Sequence, residues 1–208
     1  MPQSFLQELK SITSLAENYI FYHYSEGQFM ICDAQMCPLS DVLFSAAKVL
    51  TLRNEKKVIA FLRVDGTTVI FACNDVLKRI LQDHIIEKIG YDVNQKILTI
   101  KDKDKEYLLI EPEQSPILVK EGFHLHYVEQ FNNDCLVLLF SNDNKTLYFY
   151  STKSHSDSDL FDDAYWVRDG HYVVEKDSKF ALFDVLSFQL NGGWYDTYFD
   201  VPNREAIQ

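Results

Sequence analysis

Two histidines separated by one residue are the best candidates for metal ligands in this sequence. His124 and His126 occur in the stretch HLH, which the surrounding residues predict to be a β-strand. Because alternate residues of a strand point to the same side, both imidazoles would face one way, as in some zinc sites. A third ligand would have to come from His171 or from an aspartate, and no motif nominates one. We therefore expect two exposed strand histidines and no metal site.

Carboxylates and aromatic rings are concentrated in the stretch HSDSDLFDDAYW, residues 155–166. It offers oxygen ligands for Ca²⁺, but it has neither the glycine at the bend nor the twelfth-position glutamate of an EF-hand loop. No two of its carboxylates stand out as the acid and base of a glycoside hydrolase. Three interpretations remain open, namely an irregular cation site, a solvated loop and a surface that contacts a basic partner.

Motifs of the common enzyme classes do not occur in the chain. There is no GxSxG, no glycine-rich phosphate loop and no HExxH. Cys135 could act as a nucleophile beside a histidine, but a cysteine inside CLVLLF is more typical of a packed strand. The sequence thus argues against an enzyme, and it nominates no catalytic residue and no cofactor.

The formal net charge of −11 is distributed unevenly along the chain. Residues 1–100 carry 11 acidic and 10 basic side chains, whereas residues 101–208 carry 20 acidic and 10 basic ones. Residues 121–208 also hold 18 of the 29 aromatic side chains. An acidic surface argues against nucleic acid as the partner, because a phosphate backbone is bound by lysine and arginine. No apolar run approaches the roughly 18 residues that a membrane span requires.

The four cysteines indicate a reducing compartment. They show no CxxC spacing, and we expect reduced thiols, with Cys73 and Cys135 buried among apolar neighbours. The N-terminal residues lack the basic start and unbroken apolar run of a signal peptide. Together these features predict a cytoplasmic protein.

The pattern of apolar residues and turns predicts a mainly β (α+β) protein built as an antiparallel meander of hairpins. At least five hairpins are expected, the clearest turning at Asp65-Gly66, since Asp-Gly readily adopts the positive φ angles of a tight turn. Two helices are predicted, over 4–17 and 75–89, from capping residues and an apolar face. We see no linker, so residues 1–208 are expected to form a single domain with an acidic, aromatic-rich half, 121–208.

Several hairpins resemble one another, which indicates stacked repeats. Residues 48–61 (KVLTLRNEKKVIAF) align with 96–109 (KILTIKDKDKEYLL). A second mark is an aspartate that recurs after 34 residues, as Asp41 and Asp75 and again as Asp162 and Asp196. Periods of this length are typical of supersecondary units that bury one face against the next.

The segment from Phe161 to Asp200 resembles the tryptophan-glycine (WG) repeat proteins of bacteria. Phe161-Asp162 stands at the Tyr-Asp start of the unit, Gly170 at its turn, and Tyr195-Asp196 at the next start. Phe180-Ala181 replaces the defining Trp-Gly pair. The resemblance implies a fold of repeated hairpins and does not imply a reaction.

Aspartates around aromatic anchors favour a protein-binding role. Tyrosine and tryptophan bury much area in interfaces, and surrounding aspartates speed encounter with a basic partner. We therefore expect a protein-binding protein, most typical of an immunity protein or inhibitor that neutralises a basic toxin or enzyme. The alternative is a β-repeat module that binds a small molecule or sugar, with or without hydrolytic activity. The predicted contact residues are Asp157, Asp159, Asp162, Asp163, Tyr165, Trp166, Trp194, Tyr195 and Asp196.

Overall fold

The computed structural model describes residues 19–204, apart from 26, 34, 39–42, 74–76, 83, 132–134 and 169. The described residues are mainly β, and all of their sheets are antiparallel, as predicted. Strands follow one another within each sheet in chain order, so the architecture is a meander of hairpins. Two short 3-10 helices, Arg53–Glu55 and Tyr198–Asp200, are the helical segments of this part of the chain.

The strands form one six-stranded and three four-stranded sheets. The first sheet contains β1 (Tyr19–Ser25), β2 (Gln28–Asp33), β3 (Phe44–Thr51), β4 (Lys57–Arg63), β5 (Thr68–Cys73) and β6 (Leu77–Ile80). The second sheet contains β7 (Lys88–Asp92), β8 (Ile97–Asp102), β9 (Lys105–Leu109) and β10 (Ile117–Val119). The third sheet contains β11 (Phe123–Phe131), β12 (Cys135–Asn142), β13 (Leu147–Ser151) and β14 (Ser156–Asp157). The fourth sheet contains β15 (Asp163–Arg168), β16 (His171–Lys176), β17 (Lys179–Asp184) and β18 (Gln189–Tyr195).

All five predicted hairpins are present. They are β1–β2, β4–β5, β8–β9, β12–β13 and β16–β17. The turn between β4 and β5 contains Gly66 at φ +87°, and Asp65 accepts hydrogen bonds from the N–H and hydroxyl of Thr67 at 2.9 and 2.6 Å. The local chemistry of these turns was therefore sufficient to place the hairpins.

The helix predicted over 75–89 is wrong. Leu77–Ile80 instead forms β6, which pairs with β5 and completes that edge of the first sheet. Leu81 has φ +54°, a left-handed conformation that ends the strand and that no α-helix contains. The spacing of apolar residues that suggested a helix serves two short extended segments instead, with Ile80 and Ile86 both buried. The helix predicted over 4–17 lies outside the described residues.

The chain divides into two compact units, Met1–Glu121 and Gly122–Gln208. The second unit coincides, within one residue, with the acidic, aromatic-rich half expected over 121–208. That residues 1–208 act as a single domain stays a prediction. Each unit contains two sheets, and each pair of sheets shares one hydrophobic core.

Inner strands and edge strands differ in burial, and this difference explains their sequences. The inner strands β4 and β12 are almost continuously apolar because both of their faces are covered. The edge strands β7, β11 and β15 alternate or are largely exposed. The edge strands therefore expose more of their side chains to solvent than these inner strands do.

The third and fourth sheets pack face to face around the core of the second unit. Phe149 and Phe183 stack there with ring centroids 5.3 Å apart, and Phe161 lies against both rings. Phe183 is buried in this core, and Phe188 packs against it from a partly exposed position. The opposite face of the fourth sheet has its own smaller cluster, which consists of Val167, Val173, Leu182 and Val201.

The second pair of repeated aspartates, Asp162 and Asp196, lies among the described residues, and its spacing corresponds to one structural unit. Asp162 immediately precedes β15 and Asp196 immediately follows β18, so the 34-residue interval encloses one four-stranded sheet. Asp41 and Asp75 lie outside the described residues. The two aligned hairpins occupy comparable places, since residues 48–61 cover parts of the two middle strands of the six-stranded sheet and 96–109 the two middle strands of the second sheet.

Three cysteines are described with their side chains, and all three are free thiols. Cys32 and Cys135 are buried, as predicted for Cys135, whereas Cys37 is exposed. The side chain of Cys73 lies outside the described ones. Among the described residues, no helix has the length and apolar character needed to cross a bilayer.

Candidate protein-binding surface

The outer face of the fourth sheet, which faces away from the third sheet, combines acidic and aromatic side chains. Strand register aligns Asp163, Glu175, Phe180 and Tyr195 in one row across all four strands. Tyr165 belongs to the next row of the same face, opposite Val173. At one end of this face, two carboxylates on β15 and β16 therefore lie beside two rings on β17 and β18.

The chain that follows β18 folds back onto this face. Tyr198 contacts the ring of Tyr165 at a centroid distance of 5.7 Å and that of Phe180 at 6.3 Å, both nearly perpendicular. Phe199 stands beside Tyr198 at 5.7 Å and is 74% exposed. Edge-to-face contacts of this kind are an arrangement that aromatic pairs prefer, worth about 0.5–1.5 kcal/mol each. We call Tyr165, Phe180, Tyr195, Tyr198 and Phe199 the aromatic patch.

Carboxylates beside the patch perturb its chemistry. The Tyr165 hydroxyl donates to Glu175 Oε2 at 3.3 Å. Partial burial, a hydrogen bond with Asp163 and the charges of Asp163 and Glu175 together raise the pKa of Tyr165 to about 12. The phenol is consequently neutral and a hydrogen-bond donor throughout the physiological range, surrounded by negative charge.

Three of the predicted aspartates converge on the turn between β16 and β17. Asp159 pairs with Lys176 at 3.2 Å, and Asp196 approaches Lys179 at 3.7 Å. Asp162 accepts the backbone N–H of Asp177 at 2.8 Å. Exposed pairs such as the first two contribute little stability, because water and salt screen them. Asp162 has a structural role in holding the turn.

The remaining predicted residues are separated from this face. Trp166 follows Tyr165 in β15, and the register pairs it with Tyr172, so it belongs to the opposite face. Asp157 lies in β14 of the third sheet, opposite Tyr150. Trp194 lies in the irregular part of β18, where the register with β17 shifts. Both tryptophans are exposed, Trp166 by 56% and Trp194 by 37%, which agrees with their assignment as surface residues.

Sequence reasoning missed four members of this surface, namely Glu175, Phe180, Tyr198 and Phe199. Alternation along β16 and β17 would have placed Glu175 and Phe180 on one face, since the hairpin register was predictable. The return of residues 198–204 over the sheet had no local signal in the sequence. Val201, which is fully buried against Val173 and Leu182, fixes that return.

The predicted pair of histidines does not form a regular two-ligand arrangement. The pairing of β11 with β12 shifts between Leu125 and Tyr127, so His126 lies in a β-bulge. A bulge interrupts the alternation that would have placed His124 and His126 on one side. Within the described ranges, no group of three or more potential ligands has metal-binding geometry.

His84 lies in the region 75–89 and interacts with residues of the second sheet. Its Nδ1 contacts Asp102 Oδ2, and its ring meets Tyr107 edge to face at 5.2 Å. The pair borders an open cleft of about 370 Å³ whose lining, besides His84 and Ile85, is the turn 102–105. None of these lining residues is a phenylalanine, tyrosine or tryptophan.

Comparisons with known proteins identify no family. No family model and no curated protein matches the chain. Among solved structures, apo AztD from Citrobacter koseri aligns with TM-score 0.36 and 11% identity, over 85% of this chain and 56% of that one. The WD40 domain of SCAP from fission yeast aligns with TM-score 0.30 and 7% identity, over 87% and 66%. BamB from Moraxella catarrhalis aligns with TM-score 0.27 and 9% identity, over 83% and 56%. The chain thus spans less than two thirds of each, and similarity at this level assigns neither a fold family nor a function.

Proposed function

We propose that this chain is a protein-binding protein that recognises a basic partner through the outer face of its fourth sheet, and that the partner is a toxin or enzyme held inactive by the contact. The observation that carries the proposal is the row Asp163, Glu175, Phe180 and Tyr195, in which carboxylates and rings share one face. Such a face offers anchors and a complementary charge in the same place.

The charge of the second unit supports a basic partner. Residues 122–208 contain 14 acidic and 6 basic side chains. Lys176 and Lys179 are engaged with Asp159 and Asp196, while Asp163 and Glu175 flank Tyr165. A field of this sign accelerates encounter with a positively charged protein and repels an acidic one.

The aromatic patch supplies the area that a specific contact needs. Phe199 is 74% exposed and Tyr165 is 39% exposed, although neighbouring rings hold both in place. Rigid, exposed rings lose little conformational entropy when a partner covers them. We expect these two residues to be the anchors.

The alternative, a module for a small molecule or sugar, requires a cleft with an aromatic floor. The lining of the cleft beside His84 contains no phenylalanine, tyrosine or tryptophan. A flat row of acids and rings fits a protein surface better. We also propose that residues 161–200 form a unit of the WG type, which their organisation as one four-stranded sheet supports.

Affinity capture tests the proposed function. The immobilised chain would be exposed to an extract of the cells that express it, in parallel with Phe199→Ala and with Leu118→Ala, a control that truncates another exposed apolar residue, in β10. We expect one basic protein to be retained by the unmodified chain and by Leu118→Ala, and to be depleted on Phe199→Ala. Retention of an acidic protein, or equal retention by all three, would refute the proposal. Loss of the partner's own activity in the purified complex would show inhibition.

A further inference from the structure

Two edge strands of the second unit form the mouth of the space between the third and fourth sheets. In β11, Glu129 pairs with Val137, and Tyr127 is two residues away on the same side. In β15, Trp166 pairs with Tyr172. Val137 and Tyr172 both belong to the core that the two sheets share. Tyr127 and Glu129 therefore face the fourth sheet, and Trp166 faces the third.

A hydrogen bond between the sheets forms the floor of this mouth. The Tyr172 hydroxyl, on a side chain only 6% exposed, donates to Glu129 Oε2 at 2.9 Å. Burial, this hydrogen bond and the charge of Glu129 raise the pKa of Tyr172, so the phenol remains a donor and the negative charge stays on Glu129. The carboxylate is thereby held in place at the end of the shared core.

Two exposed aromatic side chains share the faces of the hydrogen-bonded pair, Tyr127 that of Glu129 on β11 and Trp166 that of Tyr172 on the strand beside it. Trp166 is 56% exposed and Tyr127 is 48% exposed, although both lie on faces that point toward the core. Tyr127 is close enough to Tyr172 to influence its ionisation. A fixed carboxylate between an indole and a phenol is the chemistry that recognises a cation, and the planar guanidinium also stacks on rings. Lysine lacks that planar shape.

We propose that Tyr127, Glu129 and Trp166 form an anchor site for an arginine side chain of a partner protein. This inference deepens the proposed function, because it adds a specific contact on the other side of β15 from the aromatic patch. The guanidinium would pair with Glu129 and lie against Trp166 and Tyr127. Predicted contact residues on both faces of β15 would then serve one interface, with Asp163 and Tyr165 on one face and Trp166 on the other.

The two tryptophans of the chain make a direct test possible. In a Trp194→Phe background, Trp166 is the sole indole, and its fluorescence reports on the site. The probe is N-acetyl-arginine amide, and the control ligand is N-acetyl-citrulline amide, which has the same shape without the charge. We expect the fluorescence of Trp166 to change in a saturable way with the arginine compound, with a dissociation constant on the order of 1–10 mM. We expect no change with the citrulline compound.

Three variants then separate the site from general effects. Glu129→Gln keeps an acceptor for Tyr172 and should weaken binding at least about fivefold, and Tyr127→Ala should do so by a similar factor. Asp143→Asn removes the same charge from the exposed turn between β12 and β13 and should leave binding within about twofold. Equal response to both ligands, no saturation, or equal loss in Asp143→Asn and Glu129→Gln would overturn the inference. Because the probe is a small molecule, this outcome is independent of whether a basic partner is captured.

Discussion

Individual carboxylates in the second unit have different roles, which their types alone could not reveal. Asp163 and Glu175 face solvent beside Tyr165, whereas Asp162 and Asp184 accept backbone N–H groups and hold turns. The sequence predicted the concentration of acids correctly. It could not separate binding from structural aspartates, because the donors lie in turns up to 15 residues away.

Asp184 is expected to stabilise the turn between β17 and β18. It accepts the N–H groups of Leu186 and Ser187 at 2.8 and 3.3 Å and the Ser187 hydroxyl at 2.8 Å. Burial acts to raise the pKa of Asp184, but these hydrogen bonds outweigh it, and the net effect is a lowered pKa. Asp184→Ala should therefore cost about 1–3 kcal/mol of unfolding free energy at pH 7, measured by urea denaturation.

The same group gives a pH dependence whose sign follows from its lowered pKa. The stabilisation by Asp184 should be complete above the pKa of the unfolded side chain, about 4, and should disappear as pH falls through the lower folded value. The difference in stability between the unmodified chain and Asp184→Ala should thus shrink below pH 4. A difference that grows on acidification would contradict this account.

The raised pKa values of Tyr165 and Tyr172 predict the opposite dependence at high pH. Both phenols stay neutral in the folded state above the ordinary tyrosine value of about 10. Their contribution to the stability of the folded state is complete below pH 10. It decreases as pH rises through the pKa values of the folded state, of which that of Tyr165 is about 12. The urea midpoint should therefore fall between pH 10 and 12, and less steeply in Tyr172→Phe. Absorbance titration at 295 nm provides an independent check. One late-titrating phenol should disappear from the titration curve in Tyr165→Phe and the other in Tyr172→Phe.

The local sequence predicted those strands and turns that turn residues and apolar alternation determine. The β4–β5 hairpin follows from Asp65-Gly66, and the pattern of β16–β17 follows from its apolar run and charged turn. The region 75–89 failed because its apolar spacing is compatible with either a helix or two short strands. Pairing with β5, the strand immediately before β6 in the chain, decided the outcome.

Two glycines with positive φ provide a matched test of turn packing. Gly170, at φ +74°, connects β15 to β16, and an added Cβ would lie 3.1 Å from Leu186. Gly66, at φ +87°, has no atom within 4 Å of that position. Gly66→Ala should cost about 1–2 kcal/mol from backbone strain alone, and Gly170→Ala should cost more because Leu186 must also move. Thermal unfolding of both variants measures the difference, and equal costs would show that Leu186 yields freely.

At the scale of the whole molecule, the unequal charge distribution is the most informative property that the sequence contained. It pointed to residues 121–208 before any geometry was known, and the structure divides the chain at nearly the same place. Which face of which sheet displays the charge depends on strand register and on the return of residues 198–204. Neither can be read from composition.

The association rate with the captured basic partner tests the central claim most directly. Stopped-flow or biosensor kinetics would be recorded at about 0.05 and 0.5 M salt, between which the screening length shortens from about 14 to about 4 Å. The test variant is Asp163→Asn with Glu175→Gln, and the matched control, Glu87→Gln with Asp104→Asn, removes the same charge from exposed positions of the first unit. We expect the higher salt concentration to reduce the association rate of the unmodified chain on the order of tenfold. The test variant should associate slowly even at low salt. The control variant should associate at a rate close to that of the unmodified chain. A rate that is indifferent to salt, or equally reduced by both variants, would contradict the assignment of the fourth sheet's outer face as the binding surface.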